Sequence, residues 1–132
     1  MKNKLVLWAC FYGLTSVIFG AFGAHALDDL LTDDALHSFE TATRFQLFHS
    51  LLLLLVATSG FFSEKTVRRA GVFLTLGIFL FSFSIYALTL DDLLGVDWRF
   101  LAPITPIGGT SLIVAWAILM LRAIKKVCSK TR

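Results

Sequence analysis

The chain alternates long apolar runs with short charged segments. Four apolar runs cover about residues 5–25, 43–62, 70–90 and 100–121. An α-helix needs roughly 20 residues to cross about 30 Å of hydrocarbon, and each run has about this length. The pattern therefore predicts an all-α fold, an integral membrane bundle of four transmembrane helices.

The composition agrees with a membrane location. Apolar residues make up 57% of the 132 residues and charged residues only 16%, against about 45–50% and about 25% in soluble domains. A water-soluble chain of this length could not cover so much apolar surface, so we expect one membrane domain whose first partner is the lipid bilayer. The net charge of +3 does not indicate nucleic acid, because the basic residues lie at the ends of the apolar runs.

The basic residues also predict an orientation. Ten of the twelve lysines and arginines lie before the first run, between the second and third runs, or in the tail 122–132. Only Arg44 and Arg99 lie in or beside the other two loops, the first of which is acidic over 26–42. Under the positive-inside rule both termini are cytoplasmic, in a multi-pass cell-membrane protein with an acidic outer loop and a basic cytoplasmic tail.

A signal peptide is the alternative for the first run. Ala24-His25-Ala26 imitates a signal-peptidase site. The run is long for a signal peptide and three further runs follow, which favours an uncleaved helix.

Small residues predict where helices pack closely. Ala9, Gly13, Ser16, Gly20 and Ala24 recur every three or four residues and therefore share one face of the first helix. Small side chains let helix backbones approach in lipid, where no hydrophobic force drives helices together. The expected packing positions are Gly13, Gly20, Gly23, Ala24, Gly108 and Gly109.

Helix starts and one ion pair can also be predicted. Thr32, followed by two aspartates, has the character of an N-cap. Thr105 and Pro106 suit the N-cap and first helical position of the fourth helix, and a proline kink near the outer surface is the alternative. Glu40 and Arg44 are spaced for a solvated ion pair on one helix face.

Polar side chains within the membrane are costly and are candidates for function. Gln46 and His49 share a face of the second helix. The topology places both toward the outer half of the bilayer, where His25, Tyr86 and Thr105 are also expected. We predict that His25, Gln46, His49, Tyr86 and Thr105 form an outer polar cluster, and the alternative is that each makes a structural hydrogen bond.

The sequence gives little support for metal binding, nucleophilic catalysis or a disulfide. A haem or metal pair of His25 and His49 is an alternative, but no His-x-x-His, cysteine or carboxylate stands at ligand spacing within the membrane, so neither a metal site nor a cofactor is predicted. Ser50 adjoins a histidine, but consecutive helix residues do not face each other. Cys10 and Cys128 lie in very different segments and no disulfide is expected.

Several motifs resemble those of a known family when they are taken in order. They are Gly20–His25 (GAFGAH), Phe48-His49, Phe81–Tyr86 (FSFSIY), Thr105–Gly109 (TPIGG) and Trp116. Together they resemble the bacterial YgdD-like family of small, uncharacterised membrane proteins. The resemblance covers nearly the whole chain and implies a multi-pass cell-membrane protein, without implying an activity.

These observations predict a non-enzymatic accessory protein that stabilises or interacts with the membrane. Its expected partners are lipid, other membrane proteins or further copies of itself. The alternatives are a small oligomeric transporter or channel and a haem or metal protein.

Overall fold

The computed structural model describes residues 1–130, so Thr131 and Arg132 of the predicted basic tail lie outside the described residues. The described part contains helices and turns but no strand. The elements are α1 (Lys2–His25), α2 (Asp33–Thr58), α3 (Glu64–Ile78), a π-helical turn (Phe79–Phe83), α4 (Ser84–Thr89), α5 (Asp91–Leu94), a 3₁₀ turn (Arg99–Leu101) and α6 (Ile104–Lys130). Four stretches are long and apolar enough to cross a membrane, which confirms the predicted all-α bundle.

Capping residues explain where α2 and α3 begin. The Thr32 hydroxyl accepts a hydrogen bond from Ala35 N at 3.3 Å, as its sequence position predicted. Ser63 caps α3 in the same way, with Glu64 in the first turn. A side-chain oxygen at the N-cap satisfies an otherwise unpaired backbone N–H, so α3 starts six residues before the apolar run at residue 70.

The other boundaries differ from the predicted ones for local reasons. Helix α2 ends at Thr58 rather than at residue 62, and Gly60 adopts a left-handed φ of +65° in the turn that follows. Helix α6 begins at Ile104, so Thr105 is not its N-cap. Pro106 lies in the first helical turn, where its missing N–H removes no intrahelical hydrogen bond.

The bundle consists of two helical hairpins. Helix α1 packs mainly against α2 and helix α3 mainly against α6, while α3 also contacts α1 and α2. The shared core contains fully buried Leu53, Ala70, Leu74 and Ala115. The span Glu64–Thr89 is therefore the central element of the fold.

Close contacts follow the small residues on α1. Gly13 faces Ser50, Gly20 faces Thr43 and Gly23 faces Phe39. A Cβ added at any of the three would lie 3.3–3.5 Å from its α2 neighbour. Three of the predicted packing positions thus lie between α1 and α2, whereas Ala24 is exposed.

The π-helical turn interrupts the central span and receives the closest backbone contact. A π-helical turn contains about one residue more than a regular helical turn. The side chains that follow it are therefore rotated about the helix axis by about 100°, the angle of one residue. Gly108 of α6 packs on the turn, and a Cβ there would lie 2.3 Å from Phe81 N and 2.7 Å from the carbonyl carbon of Leu80. Gly109 has more space, since its Cβ would lie 3.6 Å from the Phe81 ring.

Candidate functional site

Gln46 is the centre of the buried polar contacts. Its side chain is fully buried, and Nε2 donates to the backbone oxygen of Tyr12 at 2.9 Å and to Thr15 Oγ1 at 2.6 Å. Both acceptors belong to α1. An amide buried without partners would cost several kcal/mol in an apolar medium, about 2–7 kcal/mol by transfer measurements. The two bonds therefore fix the relative position of α1 and α2.

Tyr86 completes the hydrogen bonding of this amide from the third span. Its hydroxyl donates to Gln46 Oε1 at 2.8 Å and lies 3.4 Å from Thr43 Oγ1. The ring packs against Phe19 and Phe39, with centroids 4.7 and 4.8 Å away. Two members of the predicted outer polar cluster, Gln46 and Tyr86, are thus in direct contact.

Tyr12 is a member of this polar core that the sequence reasoning missed. It is almost fully buried, and its hydroxyl donates to the backbone oxygen of Thr75 at 3.0 Å, joining α1 to α3. Thr75 Oγ1 is buried without a hydrogen-bond partner among residues 1–130. A signal for Tyr12 was present, because it lies three residues after Ala9 and four before Ser16, on the face of the small residues.

Two serine hydroxyls of the third span bond to other helices. Ser82 Oγ donates to the backbone oxygen of Ala42 at 3.0 Å. Ser84 Oγ lies 2.7 Å from Thr105 Oγ1. Thr105 is therefore bound to α4 through Ser84 rather than to Gln46.

His49 faces α6 instead of the Gln46 amide. Its Nδ1 is 2.7 Å from the backbone oxygen of Phe45, and Trp116 Nε1 donates to Nε2 at 3.3 Å. Because an indole N–H can only donate, Nε2 must accept and Nδ1 must carry the proton of a neutral imidazole. Both ring nitrogens are thus engaged, at a partly exposed position on the side of the bundle.

His25 lies apart from the other candidates. It is exposed at the end of α1. Gly13 faces Ser50, so His49 is level with about residue 14 of α1, roughly 16 Å from His25 along the helix axis. Two ligands of one metal ion or haem iron cannot be so far apart. Residues 1–130 also contain no group of three His, Cys, Asp or Glu side chains able to hold a metal ion.

Charges are segregated to the two ends of the bundle. At one end Lys2 Nζ lies 4.0 Å from Glu64 Oε1, which brings the start of α1 to the start of α3. Lys126 donates to the backbone oxygen of Phe61 and lies over its ring. The predicted Glu40–Arg44 pair forms at the opposite, acidic end, with an N–O distance of 3.0 Å.

Most of the buried polar groups connect helices. The side chain of Gln46 and the hydroxyls of Tyr12, Ser82 and Tyr86 each reach a partner on another helix. Such bonds average about 0.6 kcal/mol in membrane proteins and act mainly by specifying which faces meet. These bonds therefore fix the packing of the first three spans, and the charged residues lie at the two ends of the bundle.

Comparisons with known proteins give consistent matches. Residues 19–109 match the family model described as a protein of unknown function (DUF423). A UPF0382 membrane protein of Staphylococcus epidermidis is 38% identical over 95% of this chain and 98% of its own. A UPF0382 membrane protein of Haemophilus influenzae is 37% identical over 88% and 90% of the two chains, and the inner membrane protein YgdD of Escherichia coli is 33% identical over 92% and 89%. No solved structure matches the chain significantly.

Proposed function

The chain belongs to the DUF423 family of UPF0382 membrane proteins, and from that premise we propose that it is a non-enzymatic interaction protein of the cell membrane. It binds other membrane components through its charged ends and its lipid-facing sides. Both termini lie in the cytoplasm, as the distribution of ten of the twelve lysines and arginines favours.

The closed interior of the bundle is the observation that carries this proposal. Leu53, Ala70, Leu74 and Ala115 are fully buried, and the Gln46 amide has partners for both its donor and its acceptor atoms. A reaction or a transport path needs polar groups that can exchange partners with a substrate. Here the Gln46 amide and the Tyr86 hydroxyl are already bonded to each other, and the amide also to α1, so binding at the surface is the better supported activity.

The test is purification from native membranes in polymer-bounded lipid discs, which keep neighbouring lipids and proteins in place. We expect a defined membrane component to be enriched reproducibly over an unrelated four-helix membrane protein of equal abundance. A deletion strain should show altered membrane properties that the cloned chain restores. No enriched component together with an unchanged deletion strain would contradict the proposal.

A second candidate is transport by an oligomer, which the His49–Trp116 pair favours. Trp116 is 52% exposed on the side of the bundle, and polar groups exposed to hydrocarbon are costly unless another surface covers them. A second copy could provide that surface, with a path between copies rather than through one. Proteoliposomes that pass no ion or solute, at a protein density where the copies associate, would exclude it.

A further inference from the structure

A cavity of about 360 Å³ opens between the first turns of α3 and the last turns of α6. Four cationic side chains line it, Lys65 and Arg69 from α3 and Arg122 and Lys125 from α6. No aspartate or glutamate of the described chain lines this cavity, and none of its four cations forms an ion pair within residues 1–130. Four like charges around one cavity repel each other unless an anion lies between them.

The cations are arranged at two depths. Lys65 and Arg69 are four residues apart and Arg122 and Lys125 are three apart, so each pair lies on one helix face. Arg69 and Arg122 lie one turn deeper along their helices than the two lysines. Below them the lining becomes apolar at Ile118 and Leu121. Seven residues separate Ile118 from Lys125, so the lining changes from charged to apolar over about 10 Å.

A neighbouring cavity provides the contrast. It is larger, about 800 Å³, and is lined by Lys2, Arg68 and the shared Lys65 together with the carboxylate of Glu64. Lys2 and Glu64 lie 4.0 Å apart there. That cavity contains a carboxylate among its cations, whereas no carboxylate lines the cavity between α3 and α6 in the described part of the chain.

We propose that the cavity between α3 and α6 binds the phosphodiester headgroup of an anionic phospholipid. Basic pockets between membrane helices bind such headgroups, and the positive end of the α3 dipole adds to the attraction. Ile118 and Leu121 then contact the first methylene groups of the acyl chains, a contact that a soluble anion cannot make. The inference rests on the proposed function, because it names one membrane component that the bundle binds.

Native mass spectrometry of the detergent-solubilised full chain tests the site directly. We expect one phosphatidylglycerol per chain to remain bound under conditions that remove phosphatidylcholine. Removing two cations in Arg69→Gln/Arg122→Gln should weaken phosphatidylglycerol binding about 25-fold, since each basic residue near an anionic surface contributes roughly fivefold. Arg69→Lys/Arg122→Lys keeps both charges and should retain most of the binding.

The matched control is Lys4→Gln/Arg68→Gln, which removes two charges from the same end but none from this cavity. Its binding should fall by less than about threefold, as expected for a diffuse surface contribution. Equal losses in the two glutamine variants, or equal retention of phosphatidylglycerol and phosphatidylcholine by the wild type, would overturn the site. Binding of glycerol phosphate or inorganic phosphate as tight as that of the lipid would overturn its assignment to lipid.

If the glutamine variant fails to fold, equal retention of phosphatidylglycerol and phosphatidylcholine by the wild-type chain still overturns the proposal, and the lysine variant still tests the charges of the cavity. The result is also separable from the broader proposal. If the chain shows no preference for phosphatidylglycerol but a membrane component is reproducibly enriched in lipid discs, only the proposed lipid site is wrong and the proposed function stands. Specific lipid binding without any other enriched component identifies the lipid itself as the membrane component.

Discussion

Replacing Gly108 by alanine should destabilise the bundle more than the same change at the neighbouring Gly109. The added Cβ would lie 2.3 Å from Phe81 N, 2.7 Å from the carbonyl carbon of Leu80 and 2.8 Å from the Phe81 Cα. Ordinary contacts between nonbonded heavy atoms are about 3.5–4.0 Å. All three neighbours are backbone atoms, which cannot rotate away, so α6 must move from the π-helical turn by about 1 Å or more.

The expected size of the effect follows from two opposing terms. Overpacking a well-fitted contact typically costs about 1–3 kcal/mol, while replacing glycine by alanine within a helix gains up to about 1 kcal/mol. Gly109→Ala is the matched control, because its Cβ would meet the Phe81 ring at an ordinary 3.6 Å. The helix-propensity gain is the same in both variants, so their difference isolates the steric term, expected at about 1–3 kcal/mol.

The assay is reversible unfolding by sodium dodecyl sulfate in mixed micelles, followed by circular dichroism and tryptophan fluorescence. We expect the midpoint of Gly108→Ala to fall well below that of the wild type, and the midpoint of Gly109→Ala to equal or exceed it. Equal midpoints for the two variants would refute the reasoning, because they would show that α6 does not depend on backbone contact with the π-helical turn.

Three further predictions concern individual side chains. Tyr86→Phe removes the donor to Gln46 Oε1 and should lower the unfolding free energy by about 0.6–1.7 kcal/mol in the same assay; an unchanged value would mean that the amide finds another donor. Trp116→Phe removes the donor to His49 Nε2 and should shift the ¹⁵N resonance of that nitrogen, whereas an unmoved resonance would contradict the hydrogen bond. Cys128 is exposed near the C-terminus and should react with a membrane-impermeant maleimide only after the cells are permeabilised; labelling of intact cells would reverse the proposed orientation.

Some features of the candidate site could be predicted because they depend only on position along one helix. Gln46 was identified because an amide within an apolar run must find a partner. Its partners could not be derived, because they lie 31 to 40 residues away in sequence, on α1 and on the third span. Which helices become neighbours is decided by packing, and hydropathy carries no information about it.

The π-helical turn shows the same limit at shorter range. A regular helix through residues 70–90 would place Thr75, Ser82 and Tyr86 on one face. The inserted turn at Phe79–Phe83 changes the angular register partway along this face. Thr75, before the turn, accepts a hydrogen bond from Tyr12 of α1 at its backbone oxygen, whereas Ser82 and Tyr86, within and after the turn, bond to α2.

Sequence alone determined the four membrane-spanning stretches and the separation of basic from acidic ends, because both follow from the transfer energies of side chains between water and lipid. Tertiary structure alone decided that Tyr86 meets Gln46, that His49 turns to Trp116, and that Gly108 receives the backbone of the third span. In lipid these choices depend on close fit and on small hydrogen-bond energies, which exist only after the helices have come together.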